Sequence, residues 1–175
     1  QRTRTGEGQH IELSLFEVQV QALANIASSV LFTGEEARRY GNAHPTIVPY
    51  QSFDAADGMF ALACASDHLW ERLCTLLDRP QWIDDPRCAT NSARVLHRDW
   101  LIPALAACFA GDTVAGWLTR FETAGIPAAP VNGVRDAVMG DLATARGLRI
   151  EDDGIPMIAS PLRMSASPMA RPQRP

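Results

Sequence analysis

Lysine is absent: all 16 basic residues of the chain are arginine. That excludes a lysine Schiff base or a phosphate-loop lysine within these residues. Cysteine is sparse, and Cys64, Cys74, Cys88 and Cys108 have no CxxC spacing and lie mostly in apolar stretches. Buried thiols are expected rather than disulfides or a zinc site. No apolar run is long enough to span a bilayer and no signal-peptide pattern is visible, so the cytoplasm is the default location. Positive charge is in deficit too, with a net charge of −4. This argues against a nucleic-acid or anionic-membrane partner while leaving room for a locally positive cleft. An initiating methionine is lacking as well: the chain opens at Gln1 in mid-pattern, and a fragment of a longer protein is expected.

Apolar residues are plentiful. With 175 residues and 46% hydrophobic content, a sizeable core is expected, in one domain or one and a part. The organising stretch is residues 41–60, GNAHPTIVPYQSFDAADGMF. Gly41 and Asn42 permit unusual backbone angles, and Pro45 pushes His44 toward extended geometry, so the loop is shaped. Pro49 to Phe53 reads as a strand opening at a proline. Asp57 and Gly58 form a turn tolerant of positive φ, and Met59 to Ala65 is an apolar run short enough for a buried strand. A loop leading into a hairpin is the result. His44 and Asn42 are either polar groups presented to a ligand or part of an ordinary surface loop, and the stretch by itself favours the second.

Along the rest of the chain, residues 8–15 alternate apolar and polar, which predicts a half-buried strand. Ser14 and Glu17 have capping-box spacing, and apolar residues from Phe16 to Leu31 recur at helical intervals up to Gly34, predicting one helix of about five turns. His10 and Glu12 read as a solvated strand face, and residues 35–40 as a solvated turn or helix end. Asp67 is the expected cap of a helix carrying Trp70, Leu73, Cys74 and Leu77. Asp84 and Asp85 pair next to a proline, where a turn with a helix cap is favoured over acid/base or metal chemistry. Thr90 or Asn91 starts a helix running through Phe109, with Pro103 expected to kink or split it. Asp112 is the expected cap of a further helix stopped by Gly125. An extended segment at 126–131, short helices near 135–139 and 141–146, and strands at 148–151 and 159–165 complete the pattern, before an Arg/Pro tail. Strands and helices do not alternate regularly, so the fold class is α+β.

In series, TGEGQHIELSLFE, GNAHPTIVPYQSF, DGMFALACASDHLWERLC, DDPRCATNSARVLHR and AGIPAAPVN resemble the family III CoA-transferases, the CaiB/BaiF group, in order and spacing over nearly the whole chain. The resemblance implies the smaller α+β domain of such an enzyme with flanking pieces of a Rossmann-like large domain. Residues 1–50 would be strand, helix and loop from the large domain, 51–127 the small domain, and 128–175 the return segment and tail. The intact family forms an interlocked homodimer. Its substrates are an acyl-CoA and a carboxylic acid, with coenzyme A itself a substrate and no covalently bound cofactor or metal. The resemblance further implies that an aspartate upstream of TGEGQ would carry the acyl group as an anhydride and CoA as a thioester, with no catalytic residue expected within this chain. The stretch from Gly41 matches the mobile loop that folds over that aspartate. It carries Gly41, Asn42, His44 and Pro45 where some oxalate-type members have a glycine run. His44 and Tyr50 are the candidates to meet an acceptor carboxylate, and IVPYQ is similar to members handling dicarboxylic acids. The superfamily also includes α-methylacyl-CoA racemases; Ser66 and Asp67 at the end of the hairpin strand look more like the transferase pattern. A further alternative is a non-catalytic fragment or oligomerisation module.

Overall fold

The hairpin expected after residue 48 is the centre of the structure, a computed structural model that describes residues 2–166. Strand β1 (Tyr50–Asp54) pairs antiparallel with β2 (Met59–Ala63), setting Phe53 opposite Phe60, and β3 (Ala128–Pro130) joins the other edge of β2. Only one face of β2 is buried, that of Phe60 and Leu62, whereas Met59 on the other face is exposed. The apolar run is therefore a half-buried strand, since the sheet is covered on one side alone. Neither Asp57 nor Gly58 takes a positive φ. The turn is held instead from outside, by Asp57 Oδ1 accepting from Val114 N at 2.7 Å and Ala56 N donating to Asp112 O at 2.9 Å.

Helices α4 (Asp67–Leu76), α5 (Asn91–Leu96), α6 (Arg98–Phe109) and α7 (Val114–Ala124) supply the core around this hairpin. The Phe109 ring meets Phe53 and Phe60 edge-on at 4.9 and 5.2 Å, and Trp117 packs edge-on against Phe109 at 5.3 Å. Such edge-to-face contacts suit the ring quadrupoles, and the Trp117 indole N–H is satisfied by Phe109 O at 2.8 Å. Trp70 lies flat against Trp82 of a short 3₁₀ turn, Pro80–Trp82. The four cysteines are free thiols, with Cys64, Cys74 and Cys88 buried.

Two caps shift by one residue. Ser66 Oγ, not Asp67, accepts from Leu69 N at 3.2 Å, and Thr113 Oγ1, not Asp112, accepts from Gly116 N at 3.1 Å. Both aspartates are drawn instead to arginines, Asp67 to Arg94 and Asp112 to Arg120. The helix through Pro103 breaks at His97, and α6 continues unbroken past the proline. Leu101, Leu105 and Phe109 are all buried on one stripe and hold α6 to the core on both sides of Pro103. Gly125 ends α7 at φ +65, where a Cβ would lie 2.9 Å from Arg72 Nη1.

After β3 come α8 (Val134–Met139), α9 (Asp141–Ala145) and a second hairpin, β4 (Arg149–Asp152) with β5 (Ile155–Ile158). The last strand thus precedes residues 159–165, where it is expected from sequence, because the tight turn at Asp153-Gly154, both at positive φ, brings the chain back early. The Arg/Pro tail at 169–175 lies outside the described residues.

Residues Gln1–Gly41 form a separate unit from Asn42–Pro175. It contains α1 (Arg2–Thr5), α2 (Leu15–Ala22) and α3 (Asn25–Thr33). Ser14 caps α2 as its spacing with Glu17 predicts, the Glu17 N–H donating to Ser14 Oγ at 3.1 Å. The single helix expected over 16–34 is broken at Ala24, which takes φ +47, and the two pieces bend by 82°. Residues 8–14 form no strand: alternation alone makes no ladder, and none of the described residues pairs with this segment. Ile11 is 71% exposed and Phe32 91%. No helix among the described residues is by itself long and apolar enough to cross a membrane.

Candidate functional site

The loop at residues 42–50 is fastened at almost every peptide. Gly41 precedes it at φ +63, a backbone angle that suits glycine. The Asn42 side chain bonds Ser52 twice, Nδ2 donating to Oγ and Oδ1 accepting from Ser52 N at 3.3 Å. His44 N donates to Tyr50 O at 2.8 Å, and the imidazole stacks on the Tyr50 ring at 5.3 Å with 16° between planes. The loop is thereby closed across its own ends.

His44 is half-buried, and its Nδ1 accepts from Thr46 N at 3.2 Å. A neutral imidazole with Nδ1 used as acceptor carries its proton on Nε2. The ring therefore offers an N–H donor, and the Tyr50 ring stacked on it carries a hydroxyl able to donate or accept.

From below, α5 and α6 hold the loop's carbonyls. Arg98 Nη2 donates to Pro45 O at 2.7 Å and both its terminal nitrogens approach His44 O at 3.5 Å. Asn91 reads the backbone on both sides of Ile47, Nδ2 donating to Thr46 O at 2.8 Å and Oδ1 accepting from Val48 N at 3.2 Å. Arg94, fully buried, donates from Nε to Val48 O at 2.7 Å and from Nη1 to Cys88 O at 3.0 Å. Its charge is met by Asp67 Oδ1 at 2.7 Å, which also accepts from Asn91 N at 3.0 Å.

The structure thus brings Asn42, His44, Pro45 and Tyr50 together, with Gly41 leading in. Asn91 enters the sequence reading only as a possible helix start, and Arg94 and Arg98 are missing from it. Their signal is the three- and four-residue spacing of polar side chains, one helical face, within a segment otherwise read for its apolar stripe.

Of the two adjacent carboxylates, Asp85 is taken up by a neighbouring arginine in its own turn. Asp85 is engaged by Arg87 through Nη2 at 2.7 Å and Nε at 3.0 Å, and these hydrogen bonds hold its pKa down at about 2. Burial pushes the thiols the other way, Cys64 and Cys74 up to about 12 and Cys88 to about 11, which leaves them protonated and poor nucleophiles. Among the described residues no cluster of His, Cys, Asp and Glu could hold a metal ion.

The mixed helix-and-sheet unit thus presents a fastened polar loop. The chain matches CoA-transferase family III over residues 1–175 and belongs to that family. It is 38% identical over 177 residues to a succinate–glutarate CoA-transferase of Agrobacterium fabrum, covering 98% of this chain and 44% of that protein. It is 33% identical to an acetyl-CoA:oxalate CoA-transferase of Acetobacter aceti over 99% of this chain and 45% of that one. A CaiB/BaiF family protein from Brucella suis has the same fold, with TM-score 0.78 and 39% identity over 95% of this chain and 44% of its own. A Mycobacterium tuberculosis protein at 22% identity shares the fold with TM-score 0.79, covering 95% of this chain and 43% of its own. The chain therefore spans less than half the length of the relatives it matches. Both named relatives are transferases, so the racemase alternative is not favoured.

Proposed function

We propose that these residues serve an acyl-CoA:carboxylate CoA-transferase and form the part of it that meets the acceptor acid. The observation that carries this reading is the His44–Tyr50 stack, with the imidazole fixed as an Nε2–H donor on a fastened loop, in a chain whose relatives are named for transfer of CoA to glutarate and oxalate. An acid with a second carboxylate or carbonyl oxygen is the substrate class that such a donor pair suits.

The reaction needs a carboxylate nucleophile, which on this reading is an aspartate outside these 175 residues. It attacks the acyl-CoA carbonyl, the C–S bond breaks, and CoA thiolate departs. The thiolate then attacks the aspartyl carbonyl of the anhydride, freeing the first acid and leaving an aspartyl-CoA thioester. The incoming acid reverses these steps and departs as the new acyl-CoA. One difficult acyl exchange becomes several easier ones, with no redox change. A fastened loop over such intermediates would exclude water.

Residues 51–127 are the small domain on this reading, with 1–50 and 128–175 belonging to the large one in a homodimer. The exposed apolar residues Leu15, Phe16, Leu31 and Phe32 support a covering of the first unit in the intact protein.

The test is CoA exchange by the intact protein purified from its source, with succinyl-CoA as donor and glutarate, oxalate and mesaconate as acceptors. Formation of a new acyl-CoA is expected. Absence of exchange with every acid, or exchange of the α-proton of a 2-methylacyl-CoA instead, would overturn the reading.

A further inference from the structure

The loop's shape is set by side chains that lie outside it. Arg98, the first residue of α6, donates to Pro45 O at 2.7 Å and its terminal nitrogens lie 3.5 Å from His44 O. Asn91, the first residue of α5, engages Thr46 O and Val48 N as a neighbouring strand would, one donor and one acceptor. A peptide whose carbonyl is held by a guanidinium cannot turn without losing a charge-assisted bond. The Pro45–Thr46 peptide carries both the carbonyl that Arg98 holds at 2.7 Å and the Thr46 N–H that donates to His44 Nδ1. Turning that peptide would withdraw the N–H from Nδ1 and free the imidazole to leave Tyr50.

We infer that Asn91 and Arg98 are positioning residues that fix the His44 imidazole for the acceptor acid. The inference rests on the proposed CoA transfer for its kinetic consequence, but not for the clamp itself. Arg94 belongs to the same network, yet it is fully buried under Val48 and also carries the packing of Cys88 and Asp67, so its loss would unfold more than the loop. Asn91 and Arg98 are only half-buried, which makes them separable from the core.

The experiment uses the intact protein and its Arg98→Gln, Arg98→Lys and Asn91→Ala variants. Hydrogen exchange is read at the His44, Thr46 and Val48 amides against those of Phe53 and Phe60 in the hairpin. Steady-state kinetics are read separately for acyl-CoA and acceptor. In Arg98→Gln and Asn91→Ala, loop exchange is expected to quicken about tenfold or more with the hairpin unchanged, and acceptor KM to rise about tenfold with donor KM within twofold, tenfold corresponding to about 1.4 kcal/mol. Arg98→Lys, which keeps the charge without the fork, should recover part of both losses. Unchanged loop exchange would overturn the clamp. Equal changes in donor and acceptor KM, or kinetics matching the wild type, would overturn the positioning role. A wild-type protein that exchanges no CoA would instead overturn the underlying functional reading, a result recognisable because it precedes any variant.

Discussion

The buried guanidinium of Arg94 donates to Asp67 Oδ1 at 2.7 Å, joining α5 to the first turn of α4 across 27 positions of sequence. The Asp67 side chain is 55% exposed, so one partner of the pair keeps its hydration while the other is stripped of it. Asp67 is thus a strut beneath the loop rather than a helix cap.

Replacing Arg94 with leucine should be costly despite the apolar surroundings. Val48 O and Cys88 O would lose their donors in the interior, and together the loss is expected to be about 3 kcal/mol. Urea denaturation of the variant should show a lowered midpoint, and Asp67→Asn, which keeps an acceptor oxygen but removes the counter-charge of a fully buried guanidinium, should lower it too.

The aromatic cluster gives a second expectation. Phe109 is fully buried between the hairpin and α7, touching Phe53, Phe60, Trp117 and Phe121. Phe109→Ala should destabilise by about 3–5 kcal/mol, and Phe109→Leu by considerably less, measured by thermal or denaturant unfolding.

The thiols predict a pH dependence of defined sign. Burial raises Cys64 and Cys74 to about 12 and Cys88 to about 11, against 9.0 for a free thiol. Folding therefore holds these protons more tightly than the unfolded chain does. The contribution is complete below about pH 9 and lost as pH rises through 11 to 12. Native protein at pH 8 should leave these three unlabelled by iodoacetamide, with labelling in urea as the control.

Asp85 gives the opposite limb. Its pKa falls from 3.8 to about 2 through Arg87, so its contribution is present above about pH 4 and lost as pH falls through about 2. Asp85→Asn should flatten the acid side of the stability profile in that window and leave the neutral region nearly unchanged, as measured by denaturant midpoints against pH.

Local chemistry made much of the fold legible. An opening proline, turn residues and a short apolar run mark β1 and β2, helical periodicity marks α4 and α7, and Gly34 and Gly125 end their helices in the left-handed conformation. The errors fall where distant groups compete. Asp67 and Asp112 look like caps because short acids at helix starts usually are, but arginines brought by the tertiary fold take them and Ser66 and Thr113 cap instead. Ala24 at φ +47 has no local signal at all. At the site, Asn42, His44 and Tyr50 stand in one short stretch and were visible; Asn91 and Arg98 act across more than forty residues, and only the packed loop brings them into view.

The most direct measurement is acceptor kinetics of His44→Ala in the intact protein with succinyl-CoA and glutarate. If the imidazole meets the acceptor, KM for the acid rises about tenfold, the loss of one hydrogen bond to a charged group, while KM for succinyl-CoA stays within twofold. Acceptor kinetics identical to those of the wild type would contradict that role.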